Sequence, residues 1–326
     1  MKAVLVKAFG PPESLVIEDI PVPAPGPGEV LVRVGAAALN FFDTLIIQNR
    51  YQFKPDLPFS PSAELAGTIE AVGEGVGDWR IGQRVAAYLG WGAAREFVIV
   101  PVDRLLAVPD GLSDEQAAGL SVTYGTTLHA LADRARLRPG ETLAVLGAAG
   151  GTGLAAVEIG KAMGARVIAC ASSDDKLALT EASGADLTLN YAREDLKAGL
   201  KRLTGGSGVD VLYDPVGGDL AEPALRSMAW QGRYLVVGFA GGDIPKLPLN
   251  LVLLKGCDVL GVFWGAFLER DPEGHRAHMA QLLAWAADGT ISAHVDAVYP
   301  LDETAEALGR IARREAKGKI VVKPGP

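Results

Sequence analysis

Cysteine is nearly absent from this chain of 326 residues, which holds only Cys170 and Cys257. Two thiols permit one disulfide at most, and Cys170 lies in the apolar run ARVIACA, which reads as a buried strand. Reduced thiols and a cytoplasmic setting are therefore expected. A structural zinc site built on four cysteines is excluded. Histidine is scarce too. Of His129, His275, His278 and His294, only His275 and His278 are spaced to share a helix face, one donor short of the three protein ligands of a catalytic zinc. No apolar run reaches the roughly 18 residues of a membrane-crossing helix. The opening MKAVLVKAFG alternates like a strand and lacks a signal-peptide pattern. Positive charge is in deficit, with 31 Lys and Arg against 39 Asp and Glu, a net charge of −8; a general nucleic-acid binder would carry a basic face. Aromatics are only 6%, but hydrophobic residues make up 49%. That is enough to bury a large core, and the length allows two domains of ordinary size.

What is present changes character along the chain. The first third is rich in strand and turn signals. PVPAPGPGEVLVRVGAAALN is a Pro/Gly turn region leading into a strand at 30–34; AELAGTIEAVGEGVGDWRIGQRVAAY gives two more short apolar runs and AAREFVIVPVDRLLAVP another. Short strands at close spacing suggest a barrel-like β domain. Ser113, followed by acids, is a helix start. From Thr142 six apolar runs follow: TLAVLG, ARVIACA, DLTLN, VDVLYD, GRYLVVGF and DVLGVFW. Helical stretches near 151–163, 174–183, 193–203 and 219–229 lie between the earlier ones. Strands alternating with helices make βαβ units and a parallel sheet covered on both faces. A further helix is expected at 273–288 and a last strand at GKIVVKP. The fold class is α/β: a doubly wound parallel sheet beside a β-rich domain.

The stretch GAAGGTGLAAVEIGKAMGARVI stands at the first strand-to-helix junction. Its spacing is Ala148-x-Gly150-x-x-Gly153, a dinucleotide-binding pattern with alanine in the first glycine place. Glycine at 150 lets backbone approach a pyrophosphate, and Gly153 lets helix and strand pack closely. The helix start offers free N–H groups and a partial positive charge to phosphates. An acid at the end of the second strand would bind the ribose 2′-hydroxyl and select NAD. That position holds Ala171, followed by Ser172, Ser173 and, one helical turn on, Lys176. Hydroxyls and a cation suit a 2′-phosphate, so NADPH is the expected cofactor. Asp174 and Asp175 open the next helix, where acids serve as caps.

Together with the first domain, these segments resemble the medium-chain dehydrogenase/reductase superfamily, and within it the zinc-independent quinone oxidoreductases, the zeta-crystallin-like branch. The resemblance is carried by NFFDTLIIQNRYQFKPDLPFSPSAELAGTIEAVGEGV, LSVTYGTTLHAL, GAAGGTGLAAVEIGKAMGARVI, GADLTLNY and DVLYDPVGG. It implies a Rossmann-type domain at 124–265 and a GroES-like catalytic domain built from 1–123 and 266–326. Zinc-dependent members carry an early cysteine and a Gly-His-Glu motif. The matching places here are Asn40 and Ser62-Ala63-Glu64, so no metal is expected. The resemblance also implies Asn40, Asp43 and Tyr51 at the reacting end, with Tyr51 a candidate proton donor. For the cofactor it implies Thr126, Gly150, Gly151, Thr152, Gly153, Ser172, Lys176, Tyr191 and Arg314. Gly238 and Phe239 in the loop GFAGG, and Phe263 in GVFWG, join that set.

Without a Lewis acid to polarise an isolated carbonyl, a conjugated acceptor is the better substrate. Hydride can enter a quinone ring or the β-carbon of an enone, while the protein supplies orientation and donors near the oxygen. The expected activity is NADPH-dependent reduction of a quinone or conjugated enone. An enoyl-thioester or enal reductase of the same fold is one alternative. An NADPH-binding structural or RNA-associated protein with little catalysis is another, and the acidic balance weakens its RNA version. The run at 258–264 would form an apolar edge strand, which a second copy could pair and close. A homodimer is expected on that ground, and the resemblance implies the same.

Overall fold

The computed structural model describes residues 1–325. It divides into two compact units, one formed by Met1–Val122 with the chain from Ala293 onward, the other by Thr123–Ser292.

The first unit is organised around one long strand, Glu29–Leu39, whose Val30, Val32 and Val34 alternate before a run of small residues. Glu64–Val72 pairs antiparallel along one side. Phe97–Pro101 lies beside its first half and Lys319–Lys323 beside its last residues. Arg84–Tyr88 and Leu105–Ala107 extend the sheet past Glu64–Val72, and Val295–Pro300 past Lys319–Lys323. The long strand runs five residues beyond the expected 30–34 at its end because three partners supply its hydrogen bonds. Register shifts at Leu31/Val32 and Val34/Ala36 bend it, as bulges do. Val32, Leu65, Val85, Val100 and Ile320, one from each of five strands, are completely or almost completely buried in one cluster. This arrangement puts Lys319 and Glu64 on the two sides of Asn40, where the long strand ends.

The second unit is a six-stranded parallel sheet. Its spatial order is Leu187–Asn190, Arg166–Ala171, Thr142–Leu146, Val209–Asp214, Met228–Val236 and Asp258–Gly261. That is the 3-2-1-4-5-6 order of a Rossmann fold. Helices Gly151–Ala162, Asp174–Ala182, Leu196–Leu203, Ala221–Arg226 and Leu249–Lys255 make the connections. Leu143, Val145, Ile168, Val211 and Leu212 are wholly buried, each worth roughly 1.5–3 kcal/mol. A sheet covered on both faces has no polar side, which is why its strands read as continuous apolar runs.

Two boundaries differ from the sequence reading. The chain returns to the first unit at Ala293 and not at 266. Helix Pro272–Ala287 stays with the parallel-sheet unit, burying Met279, Leu282 and Leu283. After it, Ser292 donates its N–H (3.1 Å) and hydroxyl (2.5 Å) to buried Glu158 on helix Gly151–Ala162. The last sheet strand also stops at Gly261 and not at 264. Trp264 instead opens a short helix, Trp264–Arg270, and its buried indole fits against Gly125, where a Cβ would stand 2.9 Å from Nε1. No helix among the described residues is long and apolar enough to cross a membrane.

Candidate active-site groups in each unit

In the second unit, strand Thr142–Leu146 ends at Gly147, whose φ of 58° favours glycine. A Cβ there would lie 2.8 Å from Val216, so the turn abuts the loop that follows Val209–Asp214. Strand order reverses between these two strands, which is where open α/β sheets bind ligands. Gly147 O accepts the Gly150 N–H at 3.0 Å, and Gly150 caps helix Gly151–Ala162. Packing demands glycine at 153, because a Cβ would stand 2.3 Å from Gly147 O and 2.7 Å from Ala148 Cα. Gly150 differs. Its φ of −77° suits any residue, and a Cβ would meet only Gly147 O, at 3.4 Å. No contact among the described residues requires glycine there, whereas a group closing on the helix start would. The N–H groups of Gly151, Thr152 and Gly153 have no acceptor within the helix and sit at its positive end.

The Thr152 side chain is turned inward. With Thr127, it hydrogen-bonds the buried Tyr213 hydroxyl, which lies 2.9 Å from Thr127 Oγ1. That leaves the Thr152 backbone N–H as its group for a ligand. Gly238 and Phe239 lie in a loop tied to 214–216 by Ala240 N–H to Pro215 O (3.0 Å) and Gly241 N–H to Val216 O (2.7 Å). Asp214 braces this corner, accepting from Val216 N–H and Gly217 N–H, both at 2.8 Å, and from Tyr234 Oη. Thr126 is half-buried on helix Asp114–Leu128, and Phe263 is exposed just past the edge strand.

At the end of the second strand, Ala171 is buried, and its carbonyl accepts the Tyr191 N–H at 3.1 Å. Ser172 is the first exposed residue beyond it, and Lys176 lies in the first turn of helix Asp174–Ala182. The structure thus gathers Ser172, Lys176 and Tyr191. Both nearby acids are engaged locally. Asp174 pairs with Arg193 and accepts from Asn190 Nδ2 at 2.7 Å, and Asp175 accepts from Ser173 Oγ. Arg193, which no sequence pattern singled out, adds a cation to this corner. Arg314 belongs to the first unit, on an exposed turn with φ 62° after helix Thr304–Ala312.

In the first unit, Asn40 caps the short helix Phe41–Ile46. Asp43 reaches back from the first turn, accepting the Asn40 N–H at 2.7 Å and the Ser62 N–H at 3.1 Å. Burial holds its carboxyl up at about 7 against those bonds and against the charge of Lys319. Both of its oxygens serve the backbone, which makes Asp43 the clamp of the Asn40 loop. Glu64 is wholly buried. Its Oε2 accepts the Val122 N–H at 2.7 Å; its Oε1 accepts Asn40 Nδ2 at 3.0 Å and lies 2.5 Å from Lys319 Nζ. Lys319 also donates to Asn40 Oδ1 at 2.5 Å. A lysine can only donate, so it fixes the carboxamide with oxygen toward the ammonium and nitrogen toward the carboxylate.

Tyr51 is half-buried and stacks on Phe42 at 5.3 Å. Burial, then the Asp43 charge, pushes its phenol up. Tyr88, opposite Glu64 in the strand register, is pushed up by burial, then by Tyr51, Glu64 and Asp43. Sequence reasoning missed both Tyr88 and Lys319. Only strand pairing marks them, since each sits at the end of an ordinary apolar run. Among the described residues, no group of three or more His, Cys, Asp and Glu is arranged to hold a metal ion.

Residues 26–110 match the alcohol dehydrogenase GroES-like domain family, and residues 151–287 the zinc-binding dehydrogenase family. The chain is 38% identical over 311 residues to quinone oxidoreductase-like protein 2 of Rattus norvegicus, spanning 95% of this chain and 89% of that protein. It superposes on the Escherichia coli quinone oxidoreductase complexed with NADPH with a TM-score of 0.91 at 29% identity, over 99% of this chain and 100% of that one. An NAD-dependent alcohol dehydrogenase gives a TM-score of 0.92 at 31% identity, over the whole of both chains. One fold thus serves proteins named for either dinucleotide, so cofactor choice has to come from local chemistry.

Proposed function

Because the chain belongs to the medium-chain dehydrogenase/reductase family, in its quinone oxidoreductase branch, we propose that it is an NADPH-dependent reductase of quinones or conjugated enones that works without zinc. The observation that carries this reading is the Lys319–Glu64–Asn40 cluster. Both Glu64 oxygens are engaged, one of them with an ammonium at 2.5 Å. Asn40 and Ala63 replace the cysteine and histidine of the zinc-dependent pattern. A divalent cation would have to displace that ammonium and would find only a carboxylate and an amide.

NADPH supplies the hydride when bound. The residues fit it: Gly150 leaves the helix start open, the N–H groups of 151–153 suit its pyrophosphate, and Ser172, Lys176 and Tyr191 suit its adenosine end. Hydride addition to a conjugated acceptor leaves negative charge on oxygen, and a proton must follow. The Tyr51 phenol holds its proton at neutral pH as an ordinary tyrosine does, and burial, then the charge of Asp43, push it further up, so Oη is present as a donor. Chelator-treated protein is expected to oxidise NADPH with 9,10-phenanthrenequinone or 1,4-benzoquinone. Turnover with crotonyl-CoA alone would make it an enoyl-thioester reductase. Tight NADPH binding with no turnover on any acceptor would overturn the enzyme reading, and zinc that is stoichiometric and needed for turnover would overturn the metal-free one.

We propose further that two copies pair through the Asp258–Gly261 edge. Val259 is exposed there, and Trp230, Leu249, Leu253 and Leu254 are each more than 70% exposed on the same unit, the kind of apolar surface that marks an interface. The geometry also selects the test. Val262 N–H donates to Val236 O within the chain, so proline at 262 would break the protein's own ladder. Gly261 faces the other way, and its carbonyl accepts from Arg134 Nε at 3.0 Å. Val259 shares that outward side, so Val259→Pro should weaken the dimer and spare the fold. A wild-type chain that sediments as a monomer at micromolar concentration would contradict the dimer. The cytoplasm is the compartment proposed: both cysteines are buried and unpaired, which suits a reducing setting.

A further inference from the structure

Asn40 has one donor without a task in the fold. Its Oδ1 accepts from Lys319, and one Nδ2 hydrogen goes to Glu64. The second Nδ2 hydrogen meets no acceptor among the described residues. This cluster is a costly way to fill space. The side chains of Lys319 and Glu64 are 5% and 0% exposed, and burying two charges is unfavourable unless close geometry and further hydrogen bonds offset it. Helix Asp114–Leu128 also forgoes a side chain to admit the lysine, since a Cβ on Gly119 would stand 2.9 Å from Lys319 Cγ, and glycine weakens a helix interior.

We propose that Lys319 is a positioning residue for the reduction: by donating to Asn40 Oδ1 it orients and polarises the carboxamide, so that the second Nδ2–H meets the negative charge developing on the acceptor oxygen. The proposal rests on the quinone and enone reading above and names the group that takes up the charge where no metal does. An ammonium on the amide oxygen draws electron density from the nitrogen and strengthens its N–H as a donor, as hydrogen bonds in series do. Burial enlarges the effect. Glu64, itself held by the Val122 N–H, keeps ammonium and amide in place, so the donor does not reorganise as charge appears.

Glu64→Gln with Lys319→Met removes both charges of the pair, so that neither is left alone, and Asp43 loses one neighbouring charge of each sign. In that variant kcat with a quinone is expected to fall at least tenfold, while the NADPH Kd stays within threefold. Of the two Asn40 side-chain amide protons, identified by their absence from Asn40→Ser, the one that is not bonded to Glu64 should move upfield in 15N-resolved NMR. Asn40→Ser keeps the ion pair and removes the donor, so it should lose at least as much kcat, and it remains informative if the double variant does not fold. An unchanged amide shift in the folded double variant, or an unchanged kcat in Asn40→Ser, overturns the role of Lys319. Absence of turnover in the wild type overturns the functional reading instead, and the amide shift still decides the polarisation.

Discussion

Gly153→Ala should weaken NADPH binding roughly a hundredfold and destabilise the fold, whereas Gly150→Ala should weaken binding alone. At 153 the new Cβ would meet two backbone atoms, at 2.3 and 2.7 Å. Backbone cannot swing aside, so the strand–turn–helix junction has to open, at the roughly 1–3 kcal/mol typical of overpacking. Opening it misaligns the N–H groups of 151–153. Hydrogen bonds to a charged group are worth about 1.5–3 kcal/mol each, and losing two of the weaker kind corresponds to about a hundredfold in Kd. At 150 the methyl would touch only Gly147 O, at 3.4 Å, so the thermal midpoint should hold within about a degree. The methyl would still stand in the approach of the pyrophosphate, for an expected loss of about tenfold. Fluorescence titration with NADPH and thermal unfolding of the same two proteins make the comparison. Normal NADPH affinity in Gly150→Ala would remove this turn as the pyrophosphate site.

Ser172→Asp with Lys176→Ala should shift the ratio of kcat/KM for NADPH over NADH toward NADH by tenfold to a hundredfold. A carboxylate about 4 Å from a 2′-phosphate repels it by roughly 1 kcal/mol in water-like surroundings and about 4 kcal/mol at an effective dielectric near 20. Removal of Lys176 takes away an attraction of similar scale. Ser172 is exposed, so the lower part of that range applies. The same swap at Ala171, where the sequence pattern puts the acid, would bury a carboxylate in a position only 1% exposed and pay its desolvation. Measurement at moderate salt matters, because screening shrinks the effect. A wild type that uses NADH as well as NADPH would show that Ser172 and Lys176 do not read the 2′-phosphate.

Much of the second unit was legible in the residues. Each βαβ strand appeared as an apolar run, and the turn at 147–153 carried its own glycine spacing. The candidate site was legible only in part. Asn40, Asp43 and Tyr51 came from resemblance; in the structure Asp43 serves two backbone N–H groups, and Lys319, which orients Asn40, went unseen. Thr152 lay in the pattern, but its hydroxyl faces Tyr213 and so only its N–H remains for a ligand.

The residues by themselves determined the features set by near neighbours in the chain: the apolar runs, the helix starts at Ser113 and Asp174, the glycines of the turn, and the missing acid after the second strand. These follow from local backbone preference and from hydrophobic period, which act over a few residues. Only the tertiary structure decided that Lys319 meets Asn40 across 279 residues, that Tyr88 stands opposite Glu64, that Ala171 is buried while Ser172 is not, and that the edge strand ends at Gly261. A lysine opening a strand carries no periodic mark of its partner. Strand pairing and register bring distant residues together, and they depend on how the whole sheet closes.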